Sequence, residues 1–89
     1  MFPDRKLQLK ILEKLKQSYP ASVDISKLKE SLYTHEDPDF NINLHYLHDH
    51  GLIRGDVDFF LFQITVSGID LIADDGGLNA ILKEKTGGF

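Results

Sequence analysis

The chain has 89 residues but no cysteine and no tryptophan, and it contains only three prolines. Without cysteine it can form neither a disulfide nor a thiolate metal site, and it has no thiol nucleophile. No apolar run approaches the roughly 20 residues that cross a bilayer, and residues 1–10 lack the apolar core of a signal peptide. We therefore expect one soluble cytoplasmic domain with no membrane partner.

Positive charge is also scarce, because ten Lys and Arg stand against fourteen Asp and Glu, and the net charge is -4. DNA-binding domains are more often basic, since contacts with phosphates supply much of their affinity. An acidic balance lowers the expectation of DNA binding without excluding it, because charge can be segregated between faces. The main cationic surface predicted is a stripe along the first helix, Lys6, Lys10 and Lys14.

Hydrophobic periodicity divides the chain into short helices and strands. Helices are predicted over roughly 4–18, 25–33, 38–50, 66–74 and 78–84. A short strand is predicted at Val23, and two antiparallel strands over 52–57 and 59–64, joined by a tight turn. In the fourth helix, Ile69, Leu71 and Ile72 are expected to face the core.

Capping residues and helix breakers support these boundaries. The predicted N-caps of the four longer helices are, in order, Asp4, Asp24 or Ser26, Asp37, and Thr65 or Ser67. Pro20 ends the first helix, since proline cannot continue one. Pro38 suits a first helical position, and Gly51 suits the left-handed residue after a helix.

The resulting order is helix, short strand, helix, helix, strand, strand, helix, helix. Short connections between helices followed by a hairpin are typical of a winged helix-turn-helix, mainly α with a small antiparallel β-hairpin. We predict one domain over 1–85 and a frayed tail over 86–89. The predicted core is Leu7, Ile11, Leu15, Leu28, Leu32, Phe40, Leu44, Leu47, Leu52, Ile53, Phe60, Phe62, Ile64, Ile69 and Ile72.

The third helix is the one that usually enters the DNA groove in this fold, yet no Lys or Arg lies between residues 30 and 53. With Leu44 at the centre of the buried face, Phe40 and Leu47 lie beside it at 100° per residue. Asn41 and Asn43 fall on the flanks. The opposite face is then predicted to hold Asp39, Ile42, His45, Tyr46 and Asp49.

The last part of the chain, ITVSGIDLIADDGGLNAILK over residues 64–83, resembles a group of small bacterial and phage-associated proteins of uncharacterised function. That group carries a similar Ile-Thr-x-x-Gly-Ile-Asp signature, followed by Asp-Asp-Gly-Gly-Leu-x-Ala-Ile-Leu, after a winged helix. The Gly-Leu-Ile of residues 51–53 also resembles the end of a winged-helix recognition helix. The resemblance implies a winged helix-turn-helix in a prokaryotic or phage setting.

The leading hypothesis for function is therefore a prokaryotic or phage transcriptional regulator that binds double-stranded DNA. Asparagine side chains can pair with adenine edges, and lysines can contact phosphates. The predicted DNA-contact residues are Lys6, Lys10, Lys14, Asn41, Asn43, His45, Tyr46 and Arg54.

The alternative is a winged-helix module that binds a protein or a second copy of itself and does not bind DNA. The acidic third helix and the short wing favour it, since exposed aromatic and aliphatic side chains are typical interface anchors. The apolar run over residues 59–62 also predicts a strand covered on both faces. The interface candidates are Ile42, Tyr46, Phe59 and Leu61. For Tyr46, packing on the hairpin or on the first helix is an equal alternative.

Four histidines, His35, His45, His48 and His50, raise the question of a metal site. His45 and His48 have a spacing that can bring ligands together on a helix, but no His-Glu-x-x-His pattern accompanies them. Solvated polar residues on a helix flank are the simpler interpretation. No serine lies in a catalytic motif, and neither glycine pair follows a strand as a phosphate loop does. We predict no enzyme activity, no metal and no cofactor.

Overall fold

The computed structural model describes residues 2–32, 38–56 and 61–75, which form four helices and a three-stranded antiparallel sheet. Helix α1 (Arg5–Ser18) begins where the Asp4 carboxylate accepts a hydrogen bond from the Leu7 amide at 3.1 Å. The predicted Asp4 cap is therefore confirmed. The helix ends just before Tyr19 and Pro20, as expected from the proline.

Strand β1 (Val23–Asp24) leads directly into helix α2 (Ile25–Ser31). The Asp24 carboxylate accepts a hydrogen bond from the Ser26 amide at 2.7 Å, so Asp24 and not Ser26 is the cap. Leu28 is the buried residue of this helix. The helix ends at Ser31, with Leu32 as its C-cap, so the predicted end at residue 33 is two residues too late.

Helix α3 (Pro38–Asp49) begins with the predicted proline, whereas its predicted N-cap, Asp37, lies outside the described residues. Gly51 ends the helix in the left-handed conformation with a φ of 73°, which confirms its predicted role. The Leu52 amide then donates to the Leu47 carbonyl at 3.0 Å. This tight ending sends the chain directly from α3 into the next strand.

Strands β2 (Ile53–Asp56) and β3 (Leu61–Ile64) pair antiparallel, and β1 pairs with the other edge of β3. The sheet order is therefore β1-β3-β2, with β3 in the centre. Gly55 lies opposite Phe62, and a Cβ atom at Gly55 would meet the Leu61 carbonyl and the Phe62 ring. The register therefore requires a glycine there. The predicted turn around residues 57–59 lies outside the described residues, as does Phe60.

Helix α4 (Val66–Ala73) begins at Thr65, whose hydroxyl oxygen accepts a hydrogen bond from the Gly68 amide at 3.2 Å. Thr65, not Ser67, is therefore the cap. Gly68 is the buried residue of α4, with Ile69 and Ile72 half-buried beside it. Leu71 is 62% exposed, so the prediction that it faces the core is wrong. The reason is that Ile72 and Ile69 lie on one side of Gly68 on the helical wheel, at about 40° and 100°, whereas Leu71 lies about 60° away on the other side.

One hydrophobic core joins these elements, and α1, α2, α3, β2 and β3 all contribute to it. The predicted core residues that are buried are Leu7, Ile11, Leu15, Leu28, Phe40, Leu44, Leu47, Ile53, Phe62 and Ile64. Leu12, which the predicted core omits, is also buried. Four other predicted core residues are only half-buried and pack against the edge of the core, namely Leu32, Leu52, Ile69 and Ile72.

The predicted fifth helix over 78–84 and the predicted tail over 86–89 lie outside the described residues. Across the ranges that are described, no helix has both the length and the apolar character needed to cross a membrane.

Candidate functional site

Helix α3 is turned relative to the orientation predicted for it. Its buried residues are Phe40, Asn43, Leu44 and Leu47, so the centre of the buried face lies between Phe40 and Leu47. That centre differs by about 50° from one placed at Leu44, at 100° per residue. The rotation brings Asn43 into the interior and moves Tyr46 towards α1.

Asn43 is completely buried, which overturns its prediction as a DNA-contact residue. Its Oδ1 accepts hydrogen bonds from the Gln8 side chain at 2.8 Å and from the Asp4 backbone amide at 3.0 Å. Its own amide donates to the Asp39 carbonyl at 2.7 Å. A buried amide needs such partners, because an unsatisfied polar group in the interior is costly. Asn43 therefore holds α1 and α3 together.

Tyr46 is half-buried and packs against the beginning of the chain. The Phe2 ring meets it edge-on at a centroid distance of 5.7 Å, and the Arg5 guanidinium lies 5.0 Å from the ring centroid. His50 stacks at a tilt on the same ring at 4.6 Å. Packing on the first helix, one of the two interpretations offered by the sequence, is confirmed for Tyr46. Its ring is therefore already engaged and does not stand free as an anchor.

Five exposed residues form the open face of α3, namely Asn41, Ile42, His45, His48 and Asp49. Ile42 keeps 44% of its surface accessible. His48 Nδ1 lies 3.9 Å from Asp49 Oδ1, and both side chains are well exposed, so this contact contributes little to stability. The open face therefore presents one aliphatic side chain among imidazoles, an amide and a carboxylate.

A groove of about 350 Å³ runs beside the open face, between α3, the start of α2 and the sheet. Its apolar floor is formed by Ile25, Leu44 and Phe62, one from each of α2, α3 and β3. Its polar rim consists of residues of α3, namely Asn41, His45, His48 and Asp49. An apolar floor with a polar rim is the usual composition of a site that binds a side chain of a partner.

The cationic candidates lie elsewhere. Lys6 and Lys10 are exposed on α1 and Lys14 is half-buried. Lys10 and Lys14 line a different groove with the end of α2, and that groove shares no lining residue with the groove beside α3. The structure therefore does not bring the lysine stripe into the groove that borders the predicted recognition helix.

Arg54 is exposed on β2, directly opposite Gln63 of β3. When the Gln63 amide is oriented to satisfy its neighbours, its oxygen accepts a hydrogen bond from Arg54 Nε at 3.2 Å. In that orientation its nitrogen donates to the Pro20 carbonyl at 3.0 Å. Arg54 is thus held along the sheet by a neutral side chain.

Of the two interface candidates in the run 59–62, only one is among the described residues. Leu61 is 38% exposed on the central strand, and Phe59 lies outside the described residues. Between Leu61 and Ile64 the exposed or half-exposed positions alternate with buried ones. Phe62 and Ile64 therefore lie on the buried face of β3, and cover of the opposite face stays a prediction, because part of the run over 59–62 lies outside the described residues.

Among residues 2–32, 38–56 and 61–75, no group of three or more His, Asp or Glu side chains is placed to hold a metal ion. His45 and His48 lie on the open face, whereas His50 packs on Tyr46. His35 and Glu36 are outside the described residues.

Sequence reasoning missed the role of Gln8, although the sequence does contain a signal for it. On the α1 wheel Gln8 lies between Leu15 and Leu12, inside the apolar stripe, so burial could have been inferred. No comparable signal marks Asn43, which lies at the edge of its stripe. Its burial depends on the partner that α1 supplies.

Comparison of the chain with protein-family models, with curated proteins and with solved structures found no significant match.

Proposed function

We propose that this chain is a winged helix-turn-helix domain whose third helix is its binding element. The support is topological: α2 and α3 follow one another, and α3 passes through a left-handed glycine into β2 and β3. The short strand β1 joins the sheet on the far side of β3, which gives the order β1-β3-β2. In this arrangement α3 corresponds to the recognition helix and the β2–β3 connection to the wing.

We further propose that the open face of α3 binds a segment of a partner protein and does not bind a DNA groove. The observation that carries this proposal is the groove beside α3, with its apolar floor and its rim of Asn41, His45, His48 and Asp49. The open face contains no Lys or Arg, the residues that most often contact guanine and phosphate. Asp49 would repel the DNA backbone but would attract a cation.

The chemistry of the site defines the partner. An apolar side chain, such as Leu or Phe, fits the floor made by Ile25, Leu44 and Phe62. A Lys or Arg beside that side chain would lie near the Asp49 carboxylate, where opposite charges favour the correct register and suppress other partners. The expected partner is therefore a protein segment with an exposed apolar residue flanked by basic residues.

Heteronuclear NMR with short synthetic peptides tests this proposal. Each peptide carries a central Leu or Phe, flanked either by lysines or by glutamates. We expect the lysine-flanked peptides to shift Leu44 and Phe62 together with the rim residues, and the glutamate-flanked peptides to bind more weakly. Equal binding of both sets, or shifts located away from the groove, would refute the proposal.

The second candidate is the DNA-binding transcriptional regulator, which the same topology favours because many winged helices insert this helix into the major groove. The residues left to carry it are the exposed ones among the predicted contacts, Asn41 and His45 on α3 and Arg54 on β2, with the lysines of α1. Titration with a duplex of mixed sequence at about 50 mM and about 200 mM salt tests this candidate, since phosphate contacts make binding strongly dependent on salt. Saturable, salt-sensitive shifts at Asn41 and His45 would support it.

A further inference from the structure

The partner expected for the groove beside α3, an exposed apolar side chain flanked by basic residues, has a match on α1 of the chain itself. Leu9 keeps 45% of its surface accessible. Lys6 and Lys10, both exposed, lie on one side of it, at about 60° and 100° on the helical wheel. Arg5 lies on the other side, and Glu13 is the only acid within four positions. Three cations therefore stand against one carboxylate around an exposed leucine.

Other exposed apolar side chains among the described residues have different surroundings. Leu71 is 62% exposed, but its neighbours Asp70 and Asp74 are acidic, and the rim of the groove would repel them. Ile42 belongs to the open face of α3, and no Lys or Arg lies near it in the sequence. Leu9 therefore fits the acidic rim of the groove better than either of them.

We propose that α1 of a second copy of this chain occupies the groove beside α3. Its Leu9 lies on the apolar floor, and its lysines lie near the Asp49 carboxylate on the rim. The proposal rests on the proposed function, because it names the partner of the same groove. Helices commonly bind by laying an apolar side chain into a groove, and opposite charges at the rim favour one register.

The contact forms between molecules and not within one. Leu9 lines a separate groove between α1, α3 and α4, which shares no lining residue with the groove beside α3. The buried hydrogen bond from Gln8 to Asn43, at 2.8 Å, fixes α1 against α3. A molecule therefore cannot bring its own Leu9 into its own groove.

Two different surfaces in contact make a heterologous interface, so each pair keeps one free groove and one free α1. Further copies can then add to either end. The net charge of -4 opposes long chains, and an interface with a single apolar anchor is small. We therefore expect weak association into pairs and short chains.

Sedimentation velocity of the full chain tests the proposal, at concentrations from about 10 μM to about 1 mM, which suit a small and weak interface. The weight-average mass should rise with concentration. Leu9→Gln and Asp49→Lys should each weaken the association at least about tenfold, the loss expected when a central anchor or its charge partner is removed. The matched control is Val66→Gln, which removes a side chain that is 64% exposed on α4 and should leave the association unchanged.

Mixing the two variants tests the heterologous contact directly. Leu9→Gln keeps an intact groove, and Asp49→Lys keeps an intact Leu9. At a concentration where neither variant associates alone, the equimolar mixture should form one-to-one pairs that do not extend. A mixture that stays monomeric would overturn the proposal, as would equal losses in Leu9→Gln and Val66→Gln.

The peptide titration described above separates the two possible failures, because it measures binding by the groove without a second copy. A full chain that stays monomeric over the whole concentration range, but whose groove binds lysine-flanked peptides, would refute the second copy as partner and leave the proposed function supported. A chain that associates equally well with and without Asp49→Lys would show that the copies meet elsewhere, and it would refute the proposal.

Discussion

Gln8 of α1 donates a side-chain hydrogen bond to Asn43 Oδ1 of α3 at 2.8 Å, and both side chains are buried where the two helices meet. The same oxygen accepts the backbone amide of Asp4, the N-cap of α1. This polar contact ties the beginning of one helix to the middle of the other. It fixes the rotation of α3, and the rotation decides which side chains form its open face.

Replacing Asn43 by alanine should destabilise the protein. The substitution leaves the buried Gln8 amide and the Asp4 N–H without their acceptor, and an unsatisfied buried group costs about 1–3 kcal/mol. Urea unfolding followed by circular dichroism measures the change. The matched control is Asn41→Ala on the exposed side of the same helix, which should change the free energy of unfolding by less than about 0.5 kcal/mol.

The double variant Gln8→Leu with Asn43→Leu sharpens the same test. Because it replaces both polar partners by apolar groups, it should be more stable than Asn43→Leu alone. If Asn43→Ala were no more harmful than Asn41→Ala, the buried contact would not be holding α1 against α3.

Thr65→Ala should lower the free energy of unfolding by about 1 kcal/mol, the usual cost of losing an N-cap. The Thr65 hydroxyl oxygen accepts the Gly68 amide at 3.2 Å, and the hydroxyl donates to the Gly51 carbonyl at 2.6 Å. It therefore joins the start of α4 to the end of α3. Thr65→Ser should retain most of the stability, and Ser67→Ala, at the other predicted cap, should have little effect. Chemical denaturation of the three variants would reveal a different order if Ser67 were the cap.

Gly68→Ala should be destabilising even though alanine favours helices. A Cβ atom at Gly68 would meet the Leu52 carbonyl, and it would lie 2.7 Å from Cγ1 of Ile64. Overpacking of this kind costs about 1–3 kcal/mol, and the backbone carbonyl cannot move aside easily. The comparison is Gly51→Ala, where nothing lies within 4 Å of the added atom and only the positive φ is strained. In thermal unfolding, the Gly68→Ala variant should have a lower Tm than the Gly51→Ala variant. The opposite order would show that α4 does not pack tightly on β3.

Much of the secondary structure could be predicted from local signals. The cap at Asp4 and the glycine at position 51 act within a few residues of the chain, so sequence alone indicates them, and for the same reason it narrows the other two caps to Asp24 or Ser26 and to Thr65 or Ser67. Period-four apolar residues likewise located the core of α1. These signals are short-range, because each depends only on interactions between neighbouring residues of the same element.

The orientation of α3 could not be predicted in the same way. Its wheel is nearly balanced between Phe40, Leu44 and Leu47 on one side and mixed polar residues on the other, so small differences decide the rotation. The deciding partner, Gln8, lies far away in the sequence. For that reason the sequence predicts a surface position for Asn43 and leaves two alternatives for Tyr46, although both side chains contact α1.

The charge of the open face should determine its partner. In the Asp49→Lys variant, we expect lysine-flanked peptides to lose affinity and glutamate-flanked peptides to gain it, since the sign of the interaction with the rim is reversed. Glu13→Lys makes the same change in net charge at an exposed position of α1, in the groove that Lys10 and Lys14 line. This variant should keep the preference for lysine-flanked over glutamate-flanked peptides. NMR titration gives both affinities. A similar effect from both variants would mean that only the overall charge matters.

The most direct test maps two ligands onto the same isotope-labelled protein, the lysine-flanked peptide and the mixed-sequence duplex at about 50 mM salt. We expect the peptide to produce saturable shifts at Asn41, Leu44 and His45, and the duplex to produce none. Saturable shifts of these residues with DNA, and none with the peptide, would contradict the proposal that the open face of α3 binds protein.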